Sequence, residues 1–132
     1  MYKLDNFKSC CDYLGIDNTL PVCQIDERQI QAAYKLRVCM MAWNKQDGVE
    51  PNETANYKQE EAGYTPYFYF KNGRLVSSGN AAYGSHSGLV HAFANLAAAF
   101  PIANVGLRLC FITRKRAIEF GKTFIEIFNE LI

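Results

Sequence analysis

The chain has 132 residues, of which 49% are hydrophobic, 20% charged and 14% aromatic, and its formal net charge is +1. That size fits a single globular domain over 1–132 with its own core, and the composition excludes a disordered chain. The small net charge excludes a global field toward nucleic acid or membrane, so any electrostatic site must be local.

Leu4, Phe7, Cys11 and Leu14 recur at helical spacing and predict a short helix over 4–14 that Gly15 ends. Asp17-Asn18-Thr19-Leu20-Pro21 reads as turn or loop. Asp26 offers an N-cap, with Gln29 three residues on as its capping-box partner, and a long helix is expected from there to Lys45. Ile30, Ala33, Tyr34, Val38 and Met41 form one apolar stripe on it, and Leu36, Cys39, Met40 and Trp43 another, so its second half reads as a central buried helix. Residues 47–63 are polar, with Gly48, Pro51 and Asn52, and read as loop.

The strongest local signal follows. Tyr64-Thr65-Pro66-Tyr67-Phe68-Tyr69-Phe70 runs into Asn72-Gly73 and out through Arg74-Leu75-Val76. Asn-Gly is the preferred pair for a type I′ turn, whose central residues both need positive φ, so a β-hairpin is expected over 66–78. Ser78 to Ser87 is rich in Gly, Ser and Ala and reads as irregular. Leu89, Phe93, Leu96 and Phe100 have helical spacing, and Pro101 stops that pattern. A strand at 106–112 places Leu107, Leu109 and Phe111 on one face and Arg108, Cys110 and Ile112 on the other. Thr113 then caps a terminal helix with Ala117, Phe120, Gly121, Phe124, Phe128 and Leu131 as its buried stripe. Lys115, Glu119, Lys122 and Glu126 alternate in sign along its solvated side. The fold class is α+β: a small antiparallel sheet, made of hairpin 66–78 and strand 106–112, packed against a long central helix and a C-terminal helix.

Five cysteines, Cys10, Cys11, Cys23, Cys39 and Cys110, form an odd set without a C-x-x-C pair. This is not the pattern of a disulfide framework or a zinc site, and reduced thiols in a cytoplasm are expected. Met1-Tyr2-Lys3-Leu4-Asp5 lacks the apolar core of a secretory signal. The weakly polar stretch from Gly88 to Leu109 is broken by His91, Asn95, Pro101, Asn104 and Arg108, so no membrane span is expected.

Catalytic patterns fail on inspection. Gly84-Ser85-His86-Ser87-Gly88 has His at the centre where a nucleophile elbow needs Ser. His86 and His91 are five apart, not the four that places two metal ligands on one helix face. Gly79, Gly84 and Gly88 match no dinucleotide or phosphate-loop fingerprint, so no cofactor and no metal is expected. Glu50, Glu53, Glu60 and Glu61 read as a solvated loop. Tyr64, Tyr67, Tyr69 and Tyr83 have the chemistry to stack bases, but the RNA-recognition signature is absent, so they read as an ordinary sheet face with hydroxyls at its rim.

The anomaly is Arg114-Lys115-Arg116, three cations in the first turn of a helix whose start already carries partial positive charge. Arg108, on the preceding strand, adds a fourth. Backbone donors and guanidinium forks together suit an anion, so Arg108, Arg114, Lys115 and Arg116 are candidate anion- or partner-binding residues, with Tyr67 and Tyr69 as the aromatic alternative. The competing reading is an exposed basic turn, partly neutralised by Glu119.

The motif order is Leu14-Gly15-Ile16-Asp17, Ala33-Tyr34-Lys35-Leu36, Trp43-Asn44, Asn56-Tyr57-Lys58, Tyr64-Thr65-Pro66-Tyr67-Phe68 and Val105-Gly106-Leu107-Arg108-Leu109-Cys110-Phe111. A helix with Ala117, Phe120-Gly121-Lys122 and Phe124 closes it. This resembles a family of small uncharacterised proteins of Bacteroidales genomes and their phages, with a Tyr-Pro-Trp-Phe strand, a Gly-Ser-Arg-Leu-Cys-Phe-Lys strand and a C-terminal helix. Tyr67 stands where the family has Trp, Leu107 where it has Ser, and Ile112 where it has Lys. The stretch 79–104 departs most. The resemblance implies no activity; it implies a gut bacterium or its phage as the setting.

The resulting expectation is a small, non-catalytic, cytoplasmic binding protein of phage origin that engages a host protein or an anionic ligand, with nucleic acid less favoured as a partner and membrane not expected. A virion-associated structural protein is the first alternative. A small enzyme using Tyr83, Ser85, His86 or Ser87 is the second.

Overall fold

A computed structural model describes residues 3–49, 63–84 and 109–132. The expected helix over 89–100, the Gly84–Gly88 motif beyond Gly84, most of the 47–63 loop, His91 and Arg108 lie outside the described residues.

Helix α1 (Phe7–Leu14) begins later than its periodicity suggests. Asn6 is its N-cap and accepts from the Ser9 N–H at 2.8 Å, while Ser9 Oγ accepts from the Asn6 N–H. These reciprocal bonds fix the first turn, and Leu4 is buried just ahead of it. Gly15 closes the helix at φ 73°, a left-handed conformation that glycine adopts without steric cost.

Helix α2 (Glu27–Gln46) matches its expected span, but its start does not. Asp26 sits at φ 55° and its side chain caps nothing, so the Asp26–Gln29 capping box does not form. Side-chain capping needs an extended N-cap backbone, and a left-handed residue turns its carboxylate away from the orphan amides. Glu27 instead accepts from the Cys23 N–H at 3.1 Å.

Strands β1 (Gly63–Lys71) and β2 (Arg74–Gly84) form the hairpin, with Asn72 and Gly73 at φ 52° and 75°, as a type I′ turn demands. Both strands exceed the expected 66–78. The register passes from Phe68↔Ser77 to Tyr67↔Asn80, leaving Ser78 and Gly79 as a bulge. Up to Gly84, the irregular backbone expected from Ser78 onward is limited to Ser78 and Gly79: Asn80–Gly84 pair again with Gly63–Tyr67 as strand, because the bulge takes up the extra residues and restores the ladder. The expected strand 106–112 does not form a third strand among the described residues: the sheet has two strands, and Phe111 alone bridges to it, its N–H and carbonyl exchanging hydrogen bonds with Tyr64 at 2.8 and 2.9 Å, while Leu109 and Cys110 stay outside the ladder. The segment's two faces are not equally wet: Leu109, Cys110 and Phe111 are all buried, while Ile112 is exposed.

The C-terminal segment divides into α3 (Arg114–Thr123) and α4 (Ile125–Asn129) rather than one helix. Phe124, at φ −108° and ψ 25°, is the joint. The kink lets Phe124 face Trp43, with ring centroids 5.7 Å apart, while Phe128 lies 4.5 Å from Phe68. Ala117, Phe120, Gly121, Phe124 and Phe128 are buried as the stripe requires, and Leu131 is half-buried.

Helix α3 crosses both strands, α4 lies along β2 and against α2, and α1 packs on α2. Close approach of α3 to β1 depends on Gly121, where an added Cβ would lie 3.0 Å from Pro66 Cβ. Phe120 is the hub of the core: its ring lies 4.7 Å from Phe111, 4.7 Å from Phe124, 5.2 Å from Trp43 and 6.0 Å from Phe128. Trp43 is tied to the chain start, its indole N–H donating to the Leu4 carbonyl at 2.7 Å. Buried Asn44 donates to the Cys110 carbonyl at 2.8 Å.

All five cysteines are free thiols, four of them buried and Cys23 partly exposed. A hydrogen bond with Cys10 and burial hold the Cys39 thiol far above its ordinary pKa; burial, then Cys10, pushes Cys11 up as well. Because the fold favours the protonated form, this contribution to stability is complete below the ordinary thiol pKa and is lost as pH rises above it. A thiol reagent at neutral pH should therefore label Cys23 quickly and the other four only on unfolding, with five thiols counted in denaturant without reductant. Fast native labelling of Cys39 would contradict the packing of α1 on α2.

Candidate anion- and partner-binding surface

Thr113 holds an extended backbone at φ −131°, and its hydroxyl accepts from the Arg116 N–H at 3.1 Å. This cap starts α3 and sends Arg114, Lys115 and Arg116 in different directions, because successive residues on a helix do not share a face.

Arg116 turns inward. Its Nε donates to Asp47 Oδ2 at 2.8 Å and its Nη2 to Gln46 Oε1 at 3.2 Å, while Nη1 lies 3.5 Å from Glu119 Oε2. The guanidinium also stacks over Trp43, 4.2 Å from the ring centroid. At 22% side-chain exposure, beside an Asp47 at 21%, this is a half-buried ion pair that fastens α3 to the end of α2. Lys115 is 85% exposed and lies 3.9 Å from Glu119, the kind of surface pair worth little.

Arg114 leans toward the sheet. Its guanidinium donates to the Asn80 side-chain carbonyl, and Asn80 is the residue opposite Tyr67 across the hairpin. Pro66 and Phe68 point at α3, so by strand alternation Tyr67 and Tyr69 occupy the other face. Their rings meet edge to face at 5.5 Å and 90°. Tyr69 is 49% exposed. Of the candidate residues, Arg114 is thus bonded to Asn80, the strand partner of Tyr67, and Tyr67 meets Tyr69. Arg116 is held elsewhere, Lys115 stands in solvent, and Arg108 is outside the described residues.

Two residues that organise this region carry no sequence signal of their own. Asp47 reads as the start of a loop, and Asn80 as one polar residue in a run of small ones. Neither is close in sequence to the arginine it holds. The arrangement offers a guanidinium with spare donors, bonded to Asn80 on the strand paired with the one that carries Tyr67 and Tyr69, and such a guanidinium suits carboxylate or phosphate recognition. It contains no nucleophile paired with a base. Among the described residues no group of three or more His, Cys, Asp or Glu side chains is placed to hold a metal ion, and no helix is long and apolar enough to cross a membrane. No family model, curated protein or solved structure matches the chain.

Proposed function

We propose that this chain is a small, non-catalytic binding protein of the cytoplasm that receives an acidic segment of a partner protein, or another anionic ligand, on the surface formed by Arg114, Tyr67 and Tyr69. The observation that carries the reading is the hydrogen bond of Arg114 to Asn80, the strand partner of half-buried Tyr67, whose ring meets that of exposed Tyr69. Arginine and tyrosine are the side chains that most often dominate interface energetics. The guanidinium keeps donors beyond the one used by Asn80, and its geometry is held before any ligand arrives, which lowers the entropy lost on binding. The five free thiols support a reducing compartment. A host protein as partner and a phage as source belong to the same proposal, on the strength of the family resemblance.

The test compares the parent with Arg114→Glu and Tyr69→Ala for retention of host proteins and for binding of inorganic phosphate and nucleotides across a salt series. Each variant should lose at least about tenfold in affinity, about 1.4 kcal/mol. The parent's binding should weaken with salt, because exposed charges are screened within about 8–10 Å. Stability should be equal or slightly higher in Arg114→Glu, since an acid suits that helix end. Identical partners with identical salt dependence in parent and variants would sink the proposal. Recovery of the chain in purified phage particles would favour the structural alternative.

A further inference from the structure

At the turn-proximal end of β2, away from Asn80, an open groove of about 310 Å³ runs between the outer edge of the strand and the α3–α4 helices. Leu75, Val76 and Ile125 are the apolar residues of its lining, and Arg74, Lys122 and Glu126 the charged ones. We propose that this groove docks an extended acidic peptide segment of a partner protein, in which an apolar side chain is flanked by carboxylates.

The backbone argues for a peptide. Lys71 and Arg74 close a two-residue turn as a hydrogen-bonded pair, so the pairs Phe70↔Leu75 and Phe68↔Ser77 are non-bonded ones. Leu75 and Ser77 therefore aim their N–H and carbonyl groups outward, toward the groove. Those of Leu75 are taken by one side chain: its N–H donates to Asn129 Oδ1 at 2.8 Å, and Asn129 Nδ2 donates to its carbonyl at 3.1 Å. A side-chain amide thus occupies the place of one peptide group of a third strand. The next outward groups, on Ser77, make no backbone hydrogen bond outside the β1–β2 ladder among the described residues. A peptide backbone continues that pattern, and its alternate side chain reaches the apolar residues of the lining. The bulge at Ser78–Gly79 ends the ladder, so the added strand is short.

The charges select the peptide. Lys122 and Lys71 make no ion pair among the described residues. Arg74 is paired with Glu126 at 3.1 Å, but the two side chains are 58% and 80% exposed, so an incoming carboxylate can compete for the guanidinium. Two cations, Arg74 and Lys122, against one carboxylate, Glu126, leave the lining with a net positive charge complementary to acid.

This inference goes beyond the Arg114 surface and uses a different end of the hairpin, so the two can fail separately. The full chain, isotopically labelled, is titrated by NMR with the blocked peptide Asp-Val-Glu-Val-Asp and with its basic counterpart Lys-Val-Lys-Val-Lys. The acidic peptide should give saturable shifts at Leu75, Val76, Ser77, Lys122, Ile125 and Asn129 with a Kd of about 1 mM or tighter. Binding should weaken at least about tenfold in Lys122→Glu and in Arg74→Glu, both exposed changes that leave the core intact. It should be unchanged in Arg114→Glu. Absence of saturable shifts, shifts confined to the Arg114 surface, or an equal response to the basic peptide would overturn the assignment.

Discussion

Phe120→Ala should be the most damaging single truncation in the chain, costing about 3–5 kcal/mol. Phe120 is fully buried, and its ring is within aromatic contact of Phe111, Phe124, Phe128 and Trp43. Those partners come from the segment before α3, the α3–α4 joint, α4 and α2. Removing the ring deletes transfer free energy and leaves a space that four rigid aromatic neighbours on different elements collapse into poorly. A domain of this size has about 5–15 kcal/mol of stability in total, so a large share would be lost. Urea unfolding should show a lower midpoint with the same denaturant slope. A midpoint equal to the parent's would mean that α3 does not occupy the centre of the core.

Gly121→Val should be the second large effect, through excess volume rather than a cavity. The first added carbon would lie 3.0 Å from Pro66 Cβ and 3.3 Å from Phe68 Cζ. The proline ring is rigid, and Phe68 is itself packed against Phe128 at 4.5 Å with the rings tilted by 47°, so neither yields cheaply. Two further methyl groups have nowhere to go, and a cost of about 1–3 kcal/mol is expected. Gly121→Ala separates the causes. It gains about 1 kcal/mol of helix propensity against a milder clash, and should fall between parent and valine. Thermal unfolding of all three orders them. Valine and parent melting together would show that α3 is not seated against β1.

Some of this architecture was legible because the chemistry is local. Asn72-Gly73 announces positive φ at two adjacent positions, and the hairpin follows from that alone. The stripe from Ala117 to Phe128 announces a buried helical face whatever lies opposite. The kink at Phe124 was not legible, because the apolar period runs straight through it and only the positions of Trp43 and Phe68 call for two directions. Asp26 has the right residue type for a cap and the wrong backbone, a conformation that its own sequence neighbourhood does not reveal. The basic turn divides in the same way. Its position at a helix start was readable from Thr113 onward, but the separate fates of its two arginines depend on Asp47 and Asn80, 69 and 34 positions away. Nothing at short range distinguishes a half-buried tether from an exposed one.

The placement of Trp43 bears on how the chain is made. Its indole is covered from one side by the segment carrying Leu4 and from the other by Phe120, Phe124 and the Arg116 guanidinium. The first cover leaves the ribosome before Trp43 does, and the second only after it. At about 5–20 residues per second, roughly 4–17 s separate the synthesis of Trp43 from that of Phe128. During that interval Leu36, Met40 and Trp43 present one apolar side of α2 to the cell, with only α1 available to shield the other. The nascent chain is thus most exposed to misassociation between the two halves of its own core, and the α1–α2 pair is the part that can already be in place when the remainder arrives.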